Sequence, residues 1–251
     1  MATPRRLRNP PIREALVDVY VTGLGGDETT QIAAFRGLQQ VVSTNYPKVE
    51  ERRVIEAKFE MKAGALAAAT KAIGFAGVFC KSADGHRVVQ FRRDGFTLNQ
   101  VGAYESADVL FAEVLDLWPR YCEALKPVAI SKLAMRYINE LAVPGRPGDD
   151  VNRFFLAVPR LPAEAPQSVS QMQTNLVLRD AGSRYVVKVI QNLAGTGGDV
   201  RYVLDIEAFL DGPLPVEGPL LPHLSALRDL KNRVFFSVLT DEALAPYGTV
   251  S

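Results

Sequence analysis

The sequence predicts an α+β protein in which two pseudo-symmetric halves form one continuous antiparallel sheet with long helices on one face. Two observations carry this prediction. Each half contains the same order of elements: a strand, a helix, a meander of strands and a long helix. The strand-like segments also alternate polar and apolar residues, which is typical of an antiparallel sheet with one face in water. We assign residues 1–126 and 127–251 to the two repeats, as separate units or as one fused domain.

The first half opens with a strand and a helix. The run EALVDVYV (14–21) is rich in β-forming residues, and apolar residues fall on one helical face between positions 30 and 42. The intervening GLGGDE lacks the spacing of a nucleotide-binding loop, so we interpret it as a plain turn with an acidic helix start. Residues 49–62 then alternate apolar and charged side chains, which predicts a strand with one wet face.

Three more strands and a long helix complete the first half. They follow an Ala-rich stretch, 64–74, and are separated by Asp-Gly pairs at 84–85 and 94–95. Asp-Gly readily adopts the positive φ values of tight hairpin turns, so these pairs predict two hairpins. Ser106 is placed to cap an amphipathic helix that extends towards Leu125, with Pro119 kinking or restarting it.

The second half repeats this order. Its predicted elements are a strand at 130–143, a short helix capped by Asp149 or Asp150 and extending through Phe155, a three-stranded meander, a helix at 222–239, and a final turn at 241–246 capped by Thr240. We expect the strand at 130–143 to pair with the strand at 14–21. That pairing would join the two halves in a single sheet.

The composition argues against several classes of function. Lys and Arg number 29 and Asp and Glu 28, so no overall field attracts nucleic acid, and binding to it is not expected. Cys80 and Cys122 match no metal-ligand spacing, and the start MATPRRLRNPP lacks an apolar signal core. The chain also has no apolar run of about 18 residues. We therefore expect a reduced, cytoplasmic protein with no membrane segment, no metal and no cofactor.

The strand at 130–143 carries the most informative polar residues. If it lies beside the strand at 14–21, Glu14 and Arg136 can neutralise each other at the junction of the halves. By alternation Asn139 shares a face with Tyr137, and we expect its amide to satisfy backbone groups of an irregular sheet edge or loop. The alternative is a ligand or partner site, because a guanidinium and an amide can together bind a carboxylate or phosphate.

The expected wet face of the sheet is the second candidate surface. Its predicted members are Glu56, Lys58, Glu60, Lys62, Gln90, Arg92, Thr97, Asn99, Gln171, Gln173, Asn175, Arg184, Lys188, Arg201, Asp205 and Glu207. The mixture of signs favours a protein partner over a phosphate backbone, because acidic groups oppose the counterion release that drives nucleic-acid binding. Arg92 is a further candidate binding residue, since it would join Arg87, Arg93 and the N-terminal arm of Arg5, Arg6 and Arg8 in a basic stripe if nucleic acid were the partner.

These observations lead to two hypotheses about function. The first is a non-enzymatic cytosolic binding protein that engages a protein partner through the wet sheet face or the loops at its ends. The second is an enzyme or small-ligand sensor with a polar pocket around Glu14, Arg136 and Asn139 at the junction. The oligomeric state is left open.

Four segments taken together resemble a known family. They are NPPIRE (9–14), FRRDGFTLNQVGAY (91–104), MRYINEL (135–141) and FFSVLTDEAL (235–244). Their order and spacing are similar to those of an uncharacterised, sporadically distributed bacterial protein family marked by an N-P-P-I-x-E start and an R-Y-I-N strand. The resemblance implies no agreed activity, so function has to be argued from the residues.

Overall fold

A computed structural model of the chain describes residues 6–62, 65–142, 151–159, 161–166, 169–196 and 199–250. Its strands are β1 (Arg6–Leu7), β2 (Ile12–Thr22), β3 (Lys48–Lys62), β4 (Ala65–Lys81), β5 (Arg87–Arg92), β6 (Gly95–Val101), β7 (Ala129–Ala142), β8 (Gln171–Arg179), β9 (Tyr185–Thr196), β10 (Asp199–Leu214) and β11 (Thr249–Val250). Its helices are α1 (Glu28–Val42), α2 (Ala107–Leu125), α3 (Leu220–Ser237) and α4 (Asp241–Leu244).

Within these ranges, nine strands form one antiparallel sheet in the order β3-β4-β5-β6-β2-β7-β10-β9-β8. At its centre lies the predicted pair of β2 and β7, in which Leu16 is opposite Arg136 and Glu14 is opposite Ile138. β1 and β11 form a separate two-stranded sheet. The prediction of an α+β fold built on a large antiparallel sheet is confirmed.

α1, α2 and α4 begin at capping side chains, whereas α3 begins after Pro219 without one. Asp27 accepts a hydrogen bond from the backbone N–H of Thr30 at 2.8 Å, and Ser106 accepts one from Val109 at 3.2 Å. Thr240 caps α4 in the same way. Each bond satisfies an N–H that has no partner inside its own helix, which fixes where the helix starts.

α2 continues without a break through Pro119. A proline in a helix interior removes one backbone donor and usually kinks or ends the helix. Here the residues around it are held by packing: Trp118 and Tyr121 are both buried, and their rings stack with centroids 5.5 Å apart. Burial of these rings therefore outweighs the local preference, and the restart that the sequence allowed does not occur.

The strands alternate between two environments. On β2, Ala15, Val17 and Val19 are buried in one hydrophobic cluster together with apolar residues of α1, α2 and α3. Glu14 and Asp18, which alternate with them, lie on the other side of the sheet. We call that side of β5, β6, β2, β7, β10 and β9 the polar sheet face. Burial of the apolar side stabilises the fold at roughly 25 cal/mol per Å² of apolar surface.

The Ala-rich stretch is part of a strand rather than a segment between strands. β4 includes residues 65–74 because β3 pairs with it along its length, from Lys48 opposite Lys81 to Lys62 opposite Ala65. Backbone pairing, not side-chain alternation, defines this strand. The side chains of residues 54–73 lie outside the described part of the chain. The predicted wet-face positions Glu56, Lys58, Glu60 and Lys62 are therefore outside it as well.

The short helix predicted to end at Phe155 is a single 3₁₀ turn, Val151–Arg153. Its predicted capping residues, Asp149 and Asp150, lie outside the described residues. Phe155 itself forms an isolated β-bridge with Leu239, and its ring stacks on that of Tyr202 with centroids 3.7 Å apart. These tertiary contacts hold the phenylalanine in an extended conformation and end the helical path before it.

Candidate functional site: a cavity with a buried lysine

The four candidate binding residues lie on different sides of the sheet. Glu14, Arg92 and Arg136 are on the polar sheet face, whereas Asn139 is on the core side and is only 2% exposed. Successive residues of a strand point to opposite sides, so the odd separation between Arg136 and Asn139 places them apart. Glu14, Arg136 and Asn139 therefore do not converge on one pocket.

Arg136 forms its ion pair with Asp205 and not, as predicted, with Glu14. Its Nε and Nη2 donate to the two oxygens of Asp205 at 2.8 and 2.5 Å, and these hydrogen bonds raise the pKa of the arginine. Glu14 instead accepts a hydrogen bond from Nδ2 of Asn99 at 2.5 Å. The prediction is wrong because β10 lies on the far side of β7 and presents a closer carboxylate. Arg136 thus joins two strands of the second half.

Asn139 does bond to backbone, as predicted, but within the regular pairing of two interior strands and not at an irregular sheet edge or loop. Its Nδ2 donates to the backbone carbonyl of Leu204 on the neighbouring strand at 3.0 Å. The ion pair that crosses between the two halves at the centre of the sheet is formed by Arg13 and Glu140, at 2.7 Å. This pair is solvent-exposed on the arginine side and contributes little to stability.

Arg92 is held in a network on the polar sheet face. Its Nε donates to Asp94 at 2.9 Å and its Nη2 to Asp18 at 3.0 Å, while Nη1 contacts the hydroxyl of Thr97. The guanidinium also lies 5.2 Å from the centroid of the Tyr20 ring. Since all these partners belong to the same chain, Arg92 is occupied in stabilising the sheet.

Two further members of the predicted basic stripe, Arg93 and Arg87, are likewise beside carboxylates. Arg6 and Arg8 lie in and just after β1, and Arg5 lies outside the described residues. Arg93 donates to Glu28 at 3.1 Å, and Arg87 donates to Glu113 at 3.4 Å. Arg87, Arg92 and Arg93 therefore do not present a run of uncompensated positive charge.

A cavity of about 700 Å³ lies on the opposite side of the sheet from the polar sheet face. Its walls come from both halves of the chain: β1 and the segment up to Ile12, the start of α2, Asn139 of β7, and one face of α3. The α3 residues on its wall are Arg228, Asp229, Lys231, Asn232, Phe235 and Phe236. Spacings of three and four along a helix bring side chains onto one face, which explains this grouping.

Lys231 is the unusual residue of this wall. It is 8% exposed, and its Nζ lies 3.9 Å from the centroid of the Tyr137 ring. Among the described residues this Nζ has no hydrogen-bond acceptor and no carboxylate partner. Every fully buried side-chain nitrogen or oxygen in the described part of the chain does have a hydrogen-bond partner. The Nζ of Lys231 therefore keeps its contact with solvent through the cavity that it lines.

The surroundings of Lys231 disfavour its charged form. Burial, with a smaller effect from the nearby Arg228, lowers the pKa of Lys231 to about 7. Arg228 itself is compensated, because it lies 3.1 Å from Asp108 and 3.6 Å from Asp229. Next to the lysine, the hydroxyls of Tyr104 and Tyr137 are 3.0 Å apart, and burial raises the pKa of both.

The sequence contains a signal for this site that the prediction passed over. Leu224, Leu227 and Val234 mark the buried stripe of α3, and Lys231 occupies the position that continues this three-and-four spacing. A lysine at a core position of an amphipathic helix is unusual and points to a special role. What the pattern does not indicate is that β1 and the start of α2 line the same cavity.

In comparisons with known proteins, no family model, no curated protein and no solved structure matches this chain. The resemblance drawn from the four sequence segments stays a prediction. No helix in the described ranges is both long and apolar enough to cross a bilayer. Groups of three or more His, Cys, Asp or Glu side chains arranged to hold a metal are also not found among the residues that the structure describes.

Proposed function

We propose that this protein binds a small organic molecule in the cavity between α2, α3 and β7. The observation that carries the proposal is Lys231, a nearly buried ammonium group that lines the cavity and has no counter-ion among the described residues. Burying an unpaired charge lowers stability, so such groups are retained mainly where they have a use. The volume of about 700 Å³ also falls within the usual range of small-molecule sites.

The proposal is binding rather than catalysis. Ser106 lies on the wall and could in principle act as a nucleophile. Its hydroxyl caps α2 and accepts a hydrogen bond from the backbone N–H of Val109 at 3.2 Å. Catalysis by a serine would require a general base within hydrogen-bonding distance, and in the described part of the chain this serine has no such partner. A ligand sensor or carrier needs only the cavity and its anchoring groups.

Ligand-detected NMR against a panel of small metabolites tests the proposal. A variant that fills the cavity, Asn232→Trp, should lose the signals of those compounds that bind the wild type. Glu123→Trp adds the same ring at an exposed position of α2 that does not line the cavity, and it should bind as the wild type does. The proposal fails if no compound binds, or if the compounds that bind do so equally well to Asn232→Trp.

A second candidate function is contact with a protein partner through the polar sheet face. The observation in its favour is the distribution of charge: basic and acidic side chains alternate across the strands and remain part exposed, Arg136 to 41%. A surface of both signs suits a protein better than a phosphate backbone. Exchanging the pair, Arg136→Asp with Asp205→Arg, keeps the ion pair but reverses its direction, so a folded double variant should lose a partner recovered by the wild type.

The two halves are further proposed to be copies of one module. In support, the first strand of each half lies beside the last strand of its own meander: β2 beside β6, and β7 beside β10. α2 and α3 follow those meanders, and both contribute to the single hydrophobic cluster on the apolar side of the sheet. We place all three long helices on that side for the same reason.

The proposed location of the protein is the reducing cytoplasm. Cys80 and Cys122 are both free thiols. Burial raises their pKa values to about 11 and about 12, so neither is reactive at neutral pH.

A further inference from the structure

We infer that the ligand of the cavity carries an anionic group, a carboxylate or a phosphate, that binds at Nζ of Lys231. This inference rests on the proposed function and names the class of molecule that the cavity takes.

The first support is the difference between the two cations that α3 places on the wall. Arg228 already has Asp108 at 3.1 Å and Asp229 at 3.6 Å, so its charge is compensated. Lys231 has only the face of the Tyr137 ring, at 3.9 Å. A ring face attracts a cation but cannot accept its three N–H donors, so the ammonium retains its capacity for an oxygen ligand.

The second support is the helix terminus that lines the same cavity. Ser106, Ala107 and Asp108, the cap and first turn of α2, line the same cavity as Lys231. The first N–H groups of a helix have no partner within it, and the helix dipole favours negative charge at this end. An anion between Lys231 and this turn would therefore meet favourable charge on two sides.

The balance of charge around the cavity argues against a cationic ligand. The carboxylates on its wall are Glu105, Asp108 and Asp229, of which the two aspartates are engaged by Arg228. A second cation placed near Lys231 would be repelled by it and by Arg228. An anion instead supplies the missing counter-ion and a charge-assisted hydrogen bond.

The remaining wall indicates that the anionic group is attached to an apolar body. Ile12, Tyr104, Phe235 and Phe236 contribute apolar surface to the cavity. Enclosing such surface around a ligand is favourable only if the ligand offers apolar surface in return. A small aromatic or aliphatic acid fits this combination better than a free inorganic ion.

Isothermal titration at pH 6.5 with three probes of the same shape tests the inference: 1-naphthoate, 1-naphthyl phosphate and the neutral 1-naphthol. The wild type should bind one or both anions at least about tenfold more tightly than the alcohol. Lys231→Met should lose that preference and leave the affinity for 1-naphthol within about twofold. The matched control is Lys126→Met, at an exposed lysine outside the cavity, which should behave as the wild type does.

The pH dependence gives an independent measure. The ionisable groups that face Lys231 from the surrounding elements are Arg228 and Asp229 of α3, Glu105 and Asp108 at the start of α2, Arg6 and Arg8 at β1, and the hydroxyls of Tyr104 and Tyr137. Carboxyl and guanidinium groups ordinarily change charge outside the range from pH 6.5 to 9. Affinity for 1-naphthoate should fall by about tenfold or more over that range in the wild type and stay constant in Lys231→Met.

The outcomes separate this inference from the proposed function. If 1-naphthol binds as well as the two anions, and Lys231→Met changes nothing, the cavity is a small-molecule site but the inference of an anionic ligand is wrong. If none of the probes binds at millimolar concentration, the inference is overturned, and the metabolite panel then decides the proposed function separately. If Lys231→Met does not fold, reductive methylation of Lys231 in the wild type takes its place as the test. Bound 1-naphthoate should slow the modification of this lysine. An unchanged rate of modification would overturn the inference.

Discussion

The two sides of the central sheet differ in whether their partly buried cations have a carboxylate partner. On the polar sheet face, Arg92, Lys132 and Arg136 each have a carboxylate oxygen within 3.0 Å. On the other side, Lys231 is more deeply buried, yet its neighbour is the ring of Tyr137. A buried charge without a counter-ion destabilises a protein, whereas a matched pair need not. The paired charges are therefore in a position to maintain the fold, and the unpaired one is the basis of the ligand site that we propose.

The largest expected effect is in the pH dependence of stability, measured by urea unfolding of the wild type and Lys231→Met. Because burial lowers the pKa of Lys231 to about 7, the unfolded chain binds more protons than the folded chain from about pH 7 to 10. The wild type should gain stability relative to the variant across this range, by up to about 1.4 kcal/mol per pH unit. Below pH 7 the lysine is charged in both the folded and the unfolded chain, so the difference in the free energy of unfolding between the two proteins should be constant and at its largest, with the variant the more stable. If the free energies of unfolding of the wild type and Lys231→Met change in parallel with pH, Lys231 is not a buried, unpaired group.

The next effect tests the paired side. Asp205 is 8% exposed, and its removal in Asp205→Ala leaves Arg136 without a partner. Since the arginine side chain is 41% exposed, water recovers part of the loss, and we expect the free energy of unfolding to fall by about 2 kcal/mol. Urea unfolding at pH 7 measures the change. A variant as stable as the wild type would mean that the pairs of the polar sheet face do not maintain the fold.

Lys132→Met makes the same substitution as Lys231→Met, but on the polar sheet face. Its effect on stability should be smaller and opposite in sign to that of Lys231→Met. Lys132 donates to Glu207 at 2.5 Å, and both side chains are part exposed. Its removal should lower stability by about 1 kcal/mol at pH 6.5, where Lys231→Met should raise it. Equal signs in the two variants would remove the contrast between the two sides of the sheet.

The smallest effect serves as the baseline. Asp116 and Arg120 form an exposed pair one turn apart on α2, at 3.1 Å. Asp116→Ala should change the free energy of unfolding by less than about 0.5 kcal/mol, because water competes for both charges. A larger change would show that exposed ion pairs contribute more to the free energy of unfolding than expected, and the effects expected for Asp205→Ala and Lys132→Met would then be larger too.

The fold was predictable where local chemistry is decisive. The hairpin predicted from Asp94-Gly95, the caps Ser106 and Thr240, and the alternation along β7 act over a few residues, and the corresponding elements are present, although the turn itself is formed by Arg93 and Asp94 and Gly95 begins β6. Alternation also placed Asn139 on the same side as Tyr137, and both side chains are buried. It could not identify the partner of Arg136, because a strand has two neighbours and the pattern does not say which one carries the nearer carboxylate.

By itself, the sequence determined the order of the main strands and helices, the two sides of the central strands and the place of Lys231 in the apolar spacing of α3. Only the tertiary structure decided that the Ala-rich stretch belongs to a strand, that Lys231 lies against Tyr137 in a cavity lined by the start of α2 and by β1, and that Asp205 pairs with Arg136. The physical reason is range. Helix periodicity, strand alternation and capping bonds involve neighbouring residues, whereas burial of a charge depends on elements that are distant in the chain and meet only when the sheet and its helices pack together.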